Sequence, residues 1–475
     1  MIKVLSDEQV ETIHEASLKI LERTGVRFDS WDARQRLLKA GAIEQPAKKN
    51  VVTFPRSVVE EGIRRIPREV TYFARDSDWD IRYDGGHTFP YAGGGNPKII
   101  DFSTGTIRPS TYADVEDAAR LGDALENNYL ASHTVIANDV HPAMIELKTM
   151  EAAMKNSAKV MSHHATSAKN VDYMVRMWSC VAGGEEEFRK RPLFSLASSP
   201  SSPLTYANHV CEVLIRSAEL GVPFSVIPCP IAGGTGPITL SGSLALQNAE
   251  TLAGLVLIQT VAPSLPSTYC GRVCFMDPRT GRDLWGVPEE GLVSAAIVQL
   301  AKRYRMISDT CGTASDVTRW DMQMGLERMM TALMPIMAGA ESVSGMGDGW
   351  DGASSLEMMV IDNEIYNDIA RITRGSAVDD DRLGLDNIDN PGIMSSFAEQ
   401  IHTTDPLWGG ERMIDAHWNT RASEKTSTDR SKPLLEAARE RMKTILKEHS
   451  PMPLDKDIEK DIRWILKDAQ KSLVG

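Results

Sequence analysis

The chain has 475 residues, 42% hydrophobic, 25% charged and 6% aromatic, a globular composition that excludes the disordered, collagenous and coiled-coil classes. Lysine plus arginine number 52 against 65 aspartate plus glutamate, a formal charge of −13, so the surface repels phosphate backbones and anionic lipid heads, and neither nucleic acid nor membrane is an expected partner. No stretch reaches the roughly 18 to 20 apolar residues that a bilayer-spanning helix needs; the nearest, residues 252–262, contains Gln259. Six cysteines without a CxxC pair, and an amino terminus without a signal-peptide pattern, lead us to expect a reducing cytoplasm.

In chain order, Ser6 with Gln9 three residues later reads as a capping box, and Val10, Ile13, Ile20 and Leu21 recur at helical spacing up to Gly25. Two short helices follow, near residues 31–40 and 56–66. From 70 to 107, short alternating runs broken by Gly85-Gly86, Gly93-Gly94-Gly95 and Gly105 predict small strands and hairpins. Residues 1–110 are thus expected to form an N-terminal cap of helices and small strands.

Beyond Thr111, which is spaced with Asp114 as a second capping box, apolar runs alternate with amphipathic helices. The runs are 130–137, 159–163, 193–198, 223–228, 267–271, 305–311 and 341–345, a spacing of about 30 to 40 residues that is typical of βα units. Repeated right-handed crossovers favour an α/β fold closed into a (β/α)8 TIM barrel over residues 111–421. An eighth strand falls either at 88–92 or in a run after Pro391. An open doubly wound sheet is the alternative, but no strand leads into GxGxxG and no GxxxxGK[ST] occurs. Residues 422–475 read as a charged linker and two helices, near 433–447 and 454–467, a helical tail that wraps the barrel or contacts a second subunit. A homo-oligomer is expected.

Active sites of such barrels lie where the strands end. That rule selects Asn138 and Asp139, His163 and His164, Ser198 and Ser199, Cys229, Gly271 and Arg272, the segment 311–313, and the loop 346–351. His163 and His164 are adjacent and point opposite ways on a strand, so one ion cannot readily hold both, and one inward histidine is expected. Cys270, Cys274 and His209 make a zinc set only on paper, and the six cysteines are read as structural. The run Gly233 to Pro237 is a tight βα turn before it is an anion site. The run Gly93 to Asn96 is either a hairpin tip or a place of close backbone approach. Glycines at 345, 347, 349 and 352 leave Trp350, Asp348 and Asp351 on a loop; aromatic faces and carboxylates attract quaternary ammonium ions, though from spacing alone a Trp packed beneath its loop with solvated aspartates ranks slightly ahead.

Three blocks far apart in the chain carry a resemblance: Ile20-Leu21-Glu22-Arg23-Thr24-Gly25-Val26, residues 237–250 (PITLSGSLALQNAE) and residues 360–365 (VIDNEI). They occur in the order found in the trimethylamine methyltransferase family, which the chain resembles over most of its length. The resemblance implies a (β/α)8 barrel that presents a methylamine to a separate corrinoid protein, whose Co(I) takes the methyl group. Archaeal members that act on trimethylamine carry pyrrolysine close to the Gly-Trp-Asp-Gly loop; here residues 349–352 are ordinary. The chain therefore resembles the branch lacking pyrrolysine, whose members demethylate quaternary amines.

The implied activity is methyl transfer from glycine betaine first, with carnitine or proline betaine as alternatives, to a cognate corrinoid protein or to free cobalamin, with no protein-bound metal. From strand-end position, not from motif matches, the expected site has Tyr91 and Trp350 as cage aromatics, His163 and Arg272 as anchors for a substrate carboxylate, and Asp348 and Asp351 as electrostatic or orienting catalytic groups. Two readings of another class stay open: a barrel that binds an amine without turnover, and a zinc-activated methyltransferase.

Overall fold

The seven apolar runs fold as parallel strands in the computed structural model, which describes residues 1–101, 104, 106–389, 396 and 434–475. An eighth strand joins them, giving in chain order Phe89–Ala92, Leu130–Ser132, Val160–His164, Phe194–Ser198, Phe224–Val226, Tyr269–Cys270, Ser308–Cys311 and Ser342–Met346. From the second strand on, each pairs with its successor, and the last pairs with the first. The ring closes between the first and second, where Tyr129 N donates to Pro90 O at 3.0 Å and Ala92 N to Asn128 Oδ1 at 2.7 Å.

The open question of the eighth strand is settled by Phe89–Ala92, so the barrel begins with residues ahead of Thr111. The alternative run after Pro391, and the division near residue 422, lie outside the described residues. Around the first strand the expected small strands form: Val70–Tyr72 pairs with Ile81–Tyr83, and Lys98–Asp101 with Thr106–Pro109.

Both capping boxes are made, Ser6 with Gln9 and Thr111 with Asp114, each satisfying otherwise orphaned N–H groups at a helix start. Helix Leu240–Val261 is buried on all sides from Ser243 to Gln259, because the cap helices Asp7–Lys19, Trp31–Lys39 and Arg56–Arg65 cover the face turned away from the barrel. Its polar side chains find partners: Asn248 Nδ2 donates to Ser17 Oγ and to Tyr304 Oη, each at 2.8 Å, and Tyr269 Oη donates to Asn248 Oδ1 at 2.7 Å. These buried bonds fasten the cap to the sixth strand. Within the block at 237–250, Asn248 is thus spent on structure.

The tail helix Lys456–Leu473 lays Ile462, Ile465, Leu466 and Ala469 into the core beside helix Ala168–Ala182. Beneath the barrel, buried Lys159 donates to the carbonyls of Gly122, Leu125 and Asn128 and sits 4.0 Å from the Trp79 ring centroid. Among the described residues no helix is long and apolar enough to cross a membrane.

Candidate active site

The carboxyl ends of the strands surround a cavity of about 820 Å³, within the range of small-molecule sites. Its lining is acidic, with Asp277, Asp283, Asp309, Asp316, Asp348 and Asp351 against Arg272 and Arg282. Its aromatic faces are Tyr91, Trp285 and Trp350.

Strands six to eight and the first strand build a charged wall. Arg272, just after the sixth strand, is buried; its Nη2 donates to Asp309 Oδ1 and Ser344 Oγ, each at 2.8 Å, and its Nη1 to the carbonyls of Gly271 and Asp309. Both terminal nitrogens are committed to the protein. Asp309 Oδ2 accepts from Tyr91 Oη at 2.8 Å. Burial, with Asp309 beside it, pushes the Tyr91 phenol well above its ordinary value, so it stays a donor.

Asp348 hangs from the loop after the eighth strand. Its Oδ1 accepts from Asn96 Nδ2 at 2.9 Å. Burial pushes its carboxyl up to about 6, against the pull of the Arg328 guanidinium and the Asn96 bond. The loop is held from behind: Arg328 bonds the Asp348 carbonyl and donates from Nη1 to Asp362 Oδ2 at 2.7 Å, and that oxygen also accepts from Gly347 N at 2.8 Å. Asp362 lies in the block at 360–365. The glycine run at 93–95 serves close approach within the chain, since a Cβ on Gly94, at φ +108°, would meet Asp348 Oδ1 at 2.7 Å.

Strands two to four build an uncharged wall. Ser132, Ser162, His164 and Ser199 line it, and Ser132 and Ser162 face each other in register. His164 Nδ1 lies 2.9 Å from His133 Nε2, and the His133 ring stacks on His163 at 4.2 Å between centroids. Burial lowers His164 to about 4, and His163 likewise, so both rings are neutral at physiological pH.

Of the expected site residues, Tyr91, Arg272, Asp348 and Trp350 meet at the cavity. His163 does not line it. The third strand runs one residue further than expected, to His164, and alternation turns His164 inward and His163, 1% exposed, into the wall. Asp351 stands at the rim, exposed, with Oδ2 2.7 Å from Lys98 Nζ. Asn138 and Asp139 are spent on the carbonyl of Pro97 and the N–H of Tyr112. The turn at 233–237 spends the N–H groups of Gly234, Thr235 and Gly236 on Ile231 O and that of Gly233 on Gly236 O, as a tight turn should. Cys270, Cys274 and His209 form no ligand cluster. Among the described residues the ligand atoms of Glu11, His14 and Glu15 do converge, outside the cavity, but the two carboxylates pair with arginines and His14 with Tyr304.

Sequence reasoning passed over Asp309 and Trp285. Asp309 sat inside the apolar run 305–311 as its one acidic residue, a signal that was available. Trp285 follows the hairpin of Cys274–Met276 with Asp283–Leu284, which folds over the cavity mouth, and nothing in the sequence announced that fold-back.

A family model described as trimethylamine methyltransferase matches residues 1–472. The trimethylamine methyltransferase MttB of Methanosarcina barkeri is 30% identical, over 100% of this chain and 96% of its own. MttB of Desulfitobacterium hafniense is 30% identical, over 98% and 93% respectively. A glycine betaine methyltransferase of Desulfitobacterium hafniense is 28% identical, over 99% and 98%. Among solved structures, the monomethylamine methyltransferase of Methanosarcina barkeri shares the fold, with a TM-score of 0.53 at 11% identity over 99% of this chain and 88% of that one.

Proposed function

The chain belongs to the trimethylamine methyltransferase family, and on that premise we propose that it moves a methyl group from a small quaternary amine to the Co(I) of a separate corrinoid protein. Glycine betaine is the first choice of donor, leaving dimethylglycine. The observation that supports this reading most is the cavity lining, three aromatic side chains with six aspartates against two arginines. Such a lining attracts a permanent cation by Coulomb forces and by the ring quadrupole.

The chemistry asks little of the protein beyond placement. A quaternary nitrogen departs as a neutral tertiary amine: the C–N bond breaks, its electron pair stays on nitrogen, and no proton has to be delivered. The reduced corrinoid, when docked at the mouth, supplies the nucleophile. The residues of this chain bind and aim the donor. Asp348 and Trp350 draw the ammonium to the loop at the mouth, and the Tyr91–Asp309–Arg272 network forms a rigid wall behind it. Charge on nitrogen is lost as the methyl leaves, so moderate cation–π contacts serve turnover better than a tight ionic cage. The cavity, at about 820 Å³, is larger than a small amine requires.

The test is to incubate the protein with chemically reduced cobalamin, or a corrinoid protein, and a panel of glycine betaine, carnitine and proline betaine, following cobalt absorbance. Methylation is expected with at least one betaine, fastest with glycine betaine. Absence of methylation with the whole panel would falsify the reading.

A further inference from the structure

In a closed ring of eight strands, elements four steps apart face each other. The seventh strand, carrying Asp309, therefore stands across the cavity from the third, carrying His164, and the eighth, with Asp348 beyond its end, stands across from the fourth, beyond whose end lies Ser199. One wall carries carboxylates. The other carries no charge: its polar groups are the hydroxyls of Ser132, Ser162 and Ser199 and the imidazoles of His133 and His164.

That neutral wall holds polar groups that nothing in the protein satisfies. Ser132 Oγ is buried without a partner, and a buried hydroxyl left alone costs on the order of 1–3 kcal/mol. His164 spends Nδ1 on His133, while its Nε2 has no hydrogen-bond partner among the described residues and the ring lines the cavity. One proton is shared between His133 Nε2 and His164 Nδ1. When His133 is the donor, His164 must carry its own hydrogen on Nε2, directed at whatever occupies the cavity.

We propose that the cavity sorts a zwitterion: the ammonium of the methyl donor lies toward Asp309 and Asp348, and its carboxylate is received by the neutral donors His164 Nε2–H and Ser132 Oγ–H on the opposite wall. This assignment rests on the reading of the donor as a betaine. Arg272 does not take the carboxylate, because Asp309 and Ser344 already occupy its Nη2 and backbone carbonyls its Nη1. Neutral donors are sufficient here. They bind the carboxylate by hydrogen bonds, and the aspartates of the facing wall set which end the ammonium takes.

The experiment measures equilibrium binding to the full chain by calorimetry, without cobalt, using glycine betaine, tetramethylammonium (the cation alone) and 3,3-dimethylbutanoate (the anion with an uncharged isosteric head). Glycine betaine is expected to bind tightest. In H164A its affinity falls roughly ten- to a hundredfold, the scale of a hydrogen bond to a charged group, while tetramethylammonium changes less than about threefold. H164Q, which keeps an N–H donor, recovers part of the loss. S132A, which removes one small hydroxyl and leaves the histidine pair intact, repeats the pattern more weakly and serves if H164A does not fold. Unchanged betaine affinity in the folded variants, a parallel loss for tetramethylammonium, or no betaine binding by the native protein would each overturn the assignment. Binding of the expected pattern with no methylation in the cobalamin assay would instead sink the proposed activity and leave the two walls standing.

Discussion

Arg272 and Asp309 form an ion pair in the cavity wall, Nη2 to Oδ1 at 2.8 Å, with side chains 8% and 13% exposed. Removing one partner of such a pair strands the other charge in a low-dielectric site. Asp309→Asn is therefore expected to lower stability by about 3 kcal/mol, read by denaturant unfolding, and to loosen Tyr91, whose hydroxyl loses a charged acceptor. Tyr91→Phe removes only that one hydrogen bond and should cost about 1 kcal/mol or less. Equal losses in the two variants would refute the pairing as the organising contact of this wall.

Asp348 links pH to both binding and stability. Its carboxyl titrates near 6 because of burial, above the ordinary value of about 3.9. Between about pH 4 and 6 the folded protein holds a proton that the unfolded chain has released, so this group's contribution to stability falls as pH rises through that window. Asp348→Asn should raise stability at pH 7 by on the order of 1–2 kcal/mol. Cation binding has the opposite sign, because the ionised carboxylate is the attractive form. Tetramethylammonium affinity should rise from about pH 5 to 7 in the native protein and stay flat in Asp348→Asn; a native profile that is already flat would contradict this.

Trp350 and Trp285 line the cavity. A cation–π contact contributes about 0.5–2 kcal/mol. Replacing either tryptophan by alanine should raise KM for the quaternary amine roughly two- to thirtyfold, with a smaller change in kcat. Phenylalanine at 350 should retain most of the affinity. Steady-state kinetics of methyl transfer would check the split, and an effect confined to kcat would count against a cage.

Arg328 and Asp362 are 1% and 0% exposed and act on the Asp348 loop from behind. Arg328→Met alone leaves a buried carboxylate and should cost about 3–5 kcal/mol. The double variant Arg328→Met with Asp362→Leu should recover much of that stability, since a buried pair replaced by apolar groups is often neutral. Methyl transfer should not recover with it, because the bonds to Asp348 O and Gly347 N are gone. Parallel recovery of folding and activity would show the pair to be structural only.

The seven predicted runs all became strands, because apolar runs at βα spacing have one economical way to bury both faces. Their ends were less legible. Extending the third strand by a single residue exchanged His163 for His164 at the cavity, since a period of two turns a shift of one into a change of face. Trp350 and Asp348 were visible because the glycines around them mark a loop.

Composition and periodicity thus determined the barrel with its cap and tail, which follow from local pattern and burial. Tertiary structure alone decided which groups meet. Asp309 acquires its meaning from Arg272, 37 residues earlier in the chain, and from Tyr91, 218 residues earlier, and His164 from a proton shared with His133. Those relations depend on ring closure and on side-chain direction to within a hydrogen bond's length, and neither is encoded in the order of residues along any one segment.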